Sequence, residues 1–176
     1  MLPMSEAEWR AFLRLSLVFC PIRVSPVIKQ AGKPVVAIGD TIIEVEQFVP
    51  RNQIDQTYLG TAYYLYPEGN LAADTLLALQ IAMLRSRRAA LGHLLVAGTD
   101  PVLIEPHDGG LLMSSLRVDD VRYPSGFSQR AEDPVPREMI EITEEIVGRR
   151  AGDFDPRRLR RQDVPYSHRR ADAKPD

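Results

Sequence analysis

The residues of this 176-residue chain with the widest chemical reach are three histidines, one cysteine and nineteen arginines. His93, His107 and His168 stand far apart and lack the spacing of metal ligands. Glu105, His107 and Asp108 are close enough in sequence to hold a metal ion, but the same trio suits the solvated tip of a hairpin, and the tip is the preferred reading. There is no glycine-rich phosphate loop with its lysine and no nucleophile elbow. Glu138, Glu141, Glu144 and Glu145 are explained as solvated helix surface. Cys20, the sole cysteine, excludes an intramolecular disulfide and any multi-cysteine zinc site. Lying between Phe19 and Pro21 at the end of an apolar run, it reads as a buried structural thiol. The expectation is no catalytic residue, no metal and no cofactor: a binding protein rather than an enzyme.

Binding chemistry falls to arginine, whose planar fork suits phosphate and guanine edges. The formal net charge is −2, which does not announce a nucleic-acid partner. Its distribution says more. Residues 155–176 hold seven Arg or Lys against four Asp, leaving the rest of the chain near −5. The candidate phosphate contacts are Arg10 and Arg14 near the start, Arg85, Arg87 and Arg88 after an apolar helix, Arg117 after a strand, and Arg157, Arg158, Arg160 and Arg161 in the basic tail. Ordinary surface charge is the alternative, and a GC-rich coding sequence also favours arginine.

These residues need elements to position them. Trp9–Phe19 alternates, with Trp9, Ala11, Leu13, Leu15, Leu17 and Phe19 on one side, and predicts a half-buried strand. A helix capped by Ser5 and Glu8 competes with it. Residues 34–45 read as a hairpin turning at Gly39-Asp40. Thr61–Tyr66 reads as a strand, and Pro67-Glu68-Gly69 as a turn. Asn70 is the expected cap of a helix to about Arg87, with Ala73, Leu76, Leu77, Gln80, Ile81 and Leu84 as its apolar stripe. A meander follows, with strands at 91–96, 102–105 and 111–117 and a turn over 107–110. After a loop-rich stretch, Pro136 opens a helix to about Arg150 with Met139, Ile140, Ile142, Ile146 and Val147 along one face. Residues 1–153 are expected to form one domain and 154–176 a mobile basic tail. The fold class is α+β, mainly β: a β-barrel with helical additions. No apolar run is long enough to span a membrane. The start, MLPMSEAEWR, lacks a signal-peptide pattern, so a cytoplasmic location is expected.

One set of motifs goes further. Phe48-Val-Pro-Arg-Asn-Gln-Ile-Asp55, then Tyr63-Tyr-Leu and Pro67-Glu-Gly69, resembles the bacterial Ku family. So do the opening run from Trp9 to Ile22, Glu105-Pro106, Gly110-Leu-Leu, Leu116-Arg117, Val135-Pro-Arg-Glu-Met139 and Phe154-Asp-Pro156. They stand in family order over about residues 8 to 160. The resemblance implies a β-barrel core and sequence-independent binding of double-stranded DNA ends in non-homologous end joining. It also implies a homodimer, no catalysis of its own, and recruitment of an ATP-dependent DNA ligase. Val24 to Asp40 is much shorter than the corresponding family segment, which contributes to the arch over DNA. Ala97-Gly-Thr-Asp-Pro101 and Asp108-Gly109 stand where the family is more basic. A closed ring and a one-sided cradle therefore both stay open. So does an alternative role, as a shortened interaction subunit that pairs with a full-length Ku and binds DNA poorly alone. The tail is read either as holding flanking DNA or as an idle solvated end.

Overall fold

Apolar alternation builds the first strand and then changes phase within two residues. The computed structural model describes residues 8–28, 41–95, 99–122 and 135–159. In it, β1 (Trp9–Leu15) buries Ala11 and Leu13, whereas β2 (Val18–Pro26) buries Cys20, Ile22 and Val24. Leu15 faces Val18 across the ladder, so Ser16 and Leu17 form a two-residue turn, with Ser16 at a φ of 55°. The single strand expected over 9–19 is thus a hairpin. The two residues that flank such a turn share a face, so the inward set passes from odd to even positions. Leu17 and Phe19, expected inward, are 91% and 53% exposed.

Five further strands follow: β3 (Thr41–Pro50), β4 (Leu59–Pro67), β5 (Arg88–Leu95), β6 (Thr99–His107) and β7 (Gly110–Leu116). Among the described residues the seven strands close into a barrel in the order β1-β2-β4-β7-β6-β5-β3. Every neighbouring pair is antiparallel except β1 with β3. Closure gives each of these described strands two neighbours. It also sets the neighbours of the second arm of the expected 34–45 hairpin. Its second arm lies in β3, and over Ile42–Val45 both edges of β3 are occupied, by β1 and β5. Residues 34–40 themselves lie outside the described residues.

Two local features set the register. β3 carries a bulge between Val45 and Gln47 opposite β5. There Gly92 lets the backbones meet, since a Cβ on it would lie 1.8 Å from the Glu44 carbonyl oxygen. The β6–β7 turn is Asp108-Gly109, both at positive φ (42° and 79°), as expected of a tight hairpin.

Helix α1 (Asn70–Ser86) follows β4 and buries Ala72, Leu76, Leu79, Gln80 and Met83 against the barrel core. The helix is where it is expected, but two details differ. Gly69, at a φ of 90°, is the N-cap, and Asn70 is already helical. The buried stripe is rotated from the expected one, and Leu77, Ile81 and Leu84 face outward, 53%, 39% and 58% exposed. The helix has apolar residues on more than one face, so periodicity alone does not choose the face that meets the barrel. Gln80 reaches the β6–β7 turn, with Gly109 O and Gly110 N each 3.3 Å away when its amide is oriented to satisfy both. The Cys20 thiol donates to Ala72 O at 3.7 Å, and burial pushes its pKa up, as expected of a structural thiol.

The chain divides into two compact units, residues 1–123 and 124–176. The second contains α2 (Arg137–Arg149), preceded by Pro136 as N-cap, and a short 3-10 turn, Pro156–Leu159. Arg137–Glu141 and Glu145–Arg149 are i,i+4 ion pairs along α2. Its stripe of Met139, Ile140, Ile142, Ile146 and Val147 is exposed throughout. No helix among the described residues is long and apolar enough to cross a membrane.

Candidate nucleic-acid interface

Strand alternation turns Arg10 and Arg14 outward on β1, as expected, and sets Arg23 directly across from Arg10 on β2. Tyr66 on β4 lies across from Arg23, so Arg10, Arg23 and Tyr66 form one row over three strands. The Arg23 guanidinium stands 5.1 Å from the Tyr66 ring centre, and that of Arg14 stands 5.6 Å from Phe19. All three arginines also have a carboxylate partner. Arg10 meets Glu68 at 3.2 Å, Arg14 meets Glu44 at 3.5 Å, and Arg23 meets Glu8 at 3.8 Å. This face is rich in cations but close to neutral.

The far end of α1 is different. Arg87 adopts the left-handed conformation at a φ of 54°, and its N–H caps the carbonyls of Met83 and Leu84. β5 then starts at Arg88, whose guanidinium donates to Phe48 O at 3.0 Å. Among the described residues no carboxylate forms an ion pair with Arg85, Arg87 or Arg88. Arg51 joins them through the backbone, its N–H donating to Arg87 O at 3.2 Å. Its side chain bonds the Glu105 carboxylate and donates to Ile54 O at 3.0 Å. Arg51 and Arg23 are absent from the candidate residues read in the sequence. Arg51 sits inside the Phe48–Asp55 motif, but nothing local to it signals that the chain returns to this point 36 residues later.

The motif itself mainly organises the chain between β3 and β4. Ile54 N–H donates to Arg51 O, and the Asp55 side chain accepts from Thr57 N–H at 2.8 Å. That hydrogen bond holds the Asp55 carboxyl below the usual carboxylate range. Arg117 closes the far side of the segment, its N–H on Tyr58 O at 2.8 Å and its guanidinium on Leu59 O at 3.3 Å, with no carboxylate paired to it among the described residues. Arg157 forks onto Asp155 at 3.0 and 3.2 Å. The Arg158 side chain, Arg160 and Arg161 lie outside the described residues.

Glu105, His107 and Asp108 do not converge. Glu105 is taken by Arg51, His107 lies 3.4 Å from Asp108, and the His107 ring is 6.3 Å from Tyr64. No group of three potential ligands that could hold a metal ion occurs among the described residues. His107 and Asp108 stand at the hairpin turn, whereas Glu105 lies within β6, part-buried against Arg51.

Comparison with known proteins agrees with the barrel. The family model for the Ku70/Ku80 beta-barrel domain matches residues 24–145. A "Non-homologous end joining protein Ku" from Cereibacter sphaeroides is 32% identical over 121 residues, covering 67% of this chain and 45% of the relative. The protein of that name from a Bradyrhizobium species is 32% identical over 123 residues, covering 68% of this chain and 42% of the relative. This chain thus spans less than half the length of these two relatives. A longer match, 22% identical over 202 residues to the protein of that name from Allorhizobium ampelinum, takes in 84% of this chain and 74% of the relative. With the closed seven-strand barrel and the ordered motifs on its strands and turns, the match over residues 24–145 places this chain in the Ku beta-barrel family.

Proposed function

We propose that this chain binds double-stranded DNA ends without sequence preference, acts in non-homologous end joining, and has no catalytic activity of its own. Membership of the Ku family carries this reading, because relatives of this barrel bear the name of end-joining proteins. The arginines at the end of α1 support it. Guanidinium groups without carboxylate partners are the ones free to exchange solvent and counterions for phosphate. On this reading Arg85, Arg87, Arg88 and Arg117 contribute most, Arg10 and Arg14 less, and Arg157, Arg158, Arg160 and Arg161 hold flanking DNA from a tail beginning near residue 154. Self-association and recruitment of an ATP-dependent ligase complete the proposal.

The test is competition of a labelled linear duplex by unlabelled linear and closed circular DNA across a salt series. End binding requires that linear DNA compete and circles of equal mass do so poorly, with log affinity falling by about 0.9 per phosphate contact against log salt. Equal competition removes the preference for ends, and no binding at low salt removes the reading altogether. Truncation after Phe154 should lower the slope if the tail holds DNA, and leave it unchanged if the tail is idle.

A second reading, a subunit that binds DNA poorly and pairs with a longer Ku, is favoured by the net charge of −2 and by the carboxylates on the β1–β2 arginines. Mixing with a longer relative on a sizing column separates the two. A self-dimer that never exchanges subunits counts against the second reading.

A further inference from the structure

Arg51, Arg87 and Arg88 border one cavity of about 230 Å³, with Met83, Leu84 and Pro106 among its walls. We propose that this cavity receives a dianionic phosphate group and, given the end-binding reading on which this use rests, that its ligand is the terminal 5′-phosphate of a DNA strand. Four observations support it. Arg51, Arg87, Arg88 and Glu105 are among its lining residues, a formal net of two positive charges. A phosphomonoester carries nearly two negative charges at neutral pH, while each phosphate inside a strand carries one, so the match favours an end. The site is concave and partly walled by apolar side chains, which strengthens each charge interaction relative to open water. Finally, the Met83 and Leu84 carbonyls at this helix end are already capped by Arg87 N–H, so they are not left as bare acceptors facing an anion.

Two of the arginines are also held in place. Arg51 is fixed by Glu105 and Ile54 O, and Arg88 by Phe48 O, each with further N–H groups to offer. Glycine suits the left-handed backbone of Arg87 well, so Arg87→Gly removes the cation without straining the chain. Glu105 sets the strength of the site. As its partner, it competes with the phosphate for Arg51.

The experiment uses the full chain and two blunt duplexes of one sequence, differing only in a 5′-phosphate or a 5′-hydroxyl. The phosphorylated duplex should bind roughly tenfold tighter, the scale of one or two charge-assisted hydrogen bonds. Arg87→Gly with Arg88→Gln should erase that preference, and Glu105→Gln should enlarge it. The preference should also shrink below about pH 6, where the phosphomonoester takes up its second proton. Equal binding of the two duplexes, with duplex binding intact, overturns the pocket and leaves end binding standing. If neither duplex binds, the end-binding reading fails and inorganic phosphate becomes the probe. A rise in melting temperature over matched chloride that is lost in the double variant then keeps the phosphate site, and no rise overturns it. A glutamate-rich peptide that matches phosphate in the same assay also overturns it, because the pocket then takes carboxylates.

Discussion

Two arginine-bearing regions of one barrel have opposite electrostatic fates. On the β1–β2 face Arg10, Arg14 and Arg23 each lie against a glutamate, and two of them also lie over an aromatic ring. At the end of α1 and the start of β5, Arg85, Arg87 and Arg88 have no carboxylate partner among the described residues, and Arg88 is steadied by a backbone carbonyl. The difference teaches that the number of arginines is a poor measure of affinity for phosphate. A paired guanidinium is already partly neutralised, so a phosphate gains less from it, whereas an unpaired one gives up only water and a loosely held anion.

The largest expected effect lies at the seam that supports both regions. Gly92→Ala drives a Cβ into the Glu44 carbonyl, and Glu44 is also the partner of Arg14. It should cost about 3 kcal/mol of stability, the upper range for overpacking, as read by urea unfolding. An unchanged midpoint would mean that the β3–β5 seam is looser than its geometry implies.

The next effect tests the comparison directly. Replacing Arg85, Arg87 and Arg88 together should weaken duplex binding more than tenfold at moderate salt. It should also flatten the log–log salt slope by about 2.7 if each contacts one phosphate. The matched loss of Arg10, Arg14 and Arg23 should cost only a few-fold. Similar losses from both triplets, measured by fluorescence anisotropy, would break the comparison.

A smaller effect runs the other way. Glu44→Gln with Glu68→Gln releases Arg14 and Arg10 and should tighten duplex binding about threefold, on the scale of one weak ion pair each. The stability cost should stay below about 1 kcal/mol, because such partly exposed pairs contribute little. Weaker binding in this variant would show that the glutamates orient the arginines for DNA rather than occupy them.

The smallest effect is a pH dependence. The hydrogen bond from Thr57 lowers the Asp55 pKa in the folded chain below its ordinary 3.8. Its stabilisation is therefore fully present above that ordinary value and is lost as pH falls through the lower folded one. An acid titration followed by NMR should move the Thr57 amide late, below the ordinary carboxylate midpoint. A Thr57 amide that titrates at the ordinary midpoint would remove Asp55 as an anchor of the segment carrying Arg51.

Several features were legible locally because their causes are local. Asp108-Gly109 announces a tight turn through its tolerance of positive φ. The helix over 70–86 shows in its spacing, and the β4 strand in its tyrosines. The Ser16-Leu17 turn was hidden because it carries neither glycine nor asparagine and lies within unbroken alternation. The neighbours of Ile42–Val45, β1 and β5, were not legible locally, because closure of the barrel pairs segments far apart in sequence.

The same division holds for the site. By itself the sequence determined the family, through ordered motifs, and the supply of arginines, through their positions in the chain. Which arginines are neutralised was decided by the tertiary structure. Glu68 reaches Arg10 across 58 residues, and Arg51 is set beside Arg87 by a backbone bond spanning 36. The physical reason is range: turn and helix preferences act over a few neighbouring residues, whereas a carboxylate cancels whichever guanidinium the folded chain brings within about 4 Å.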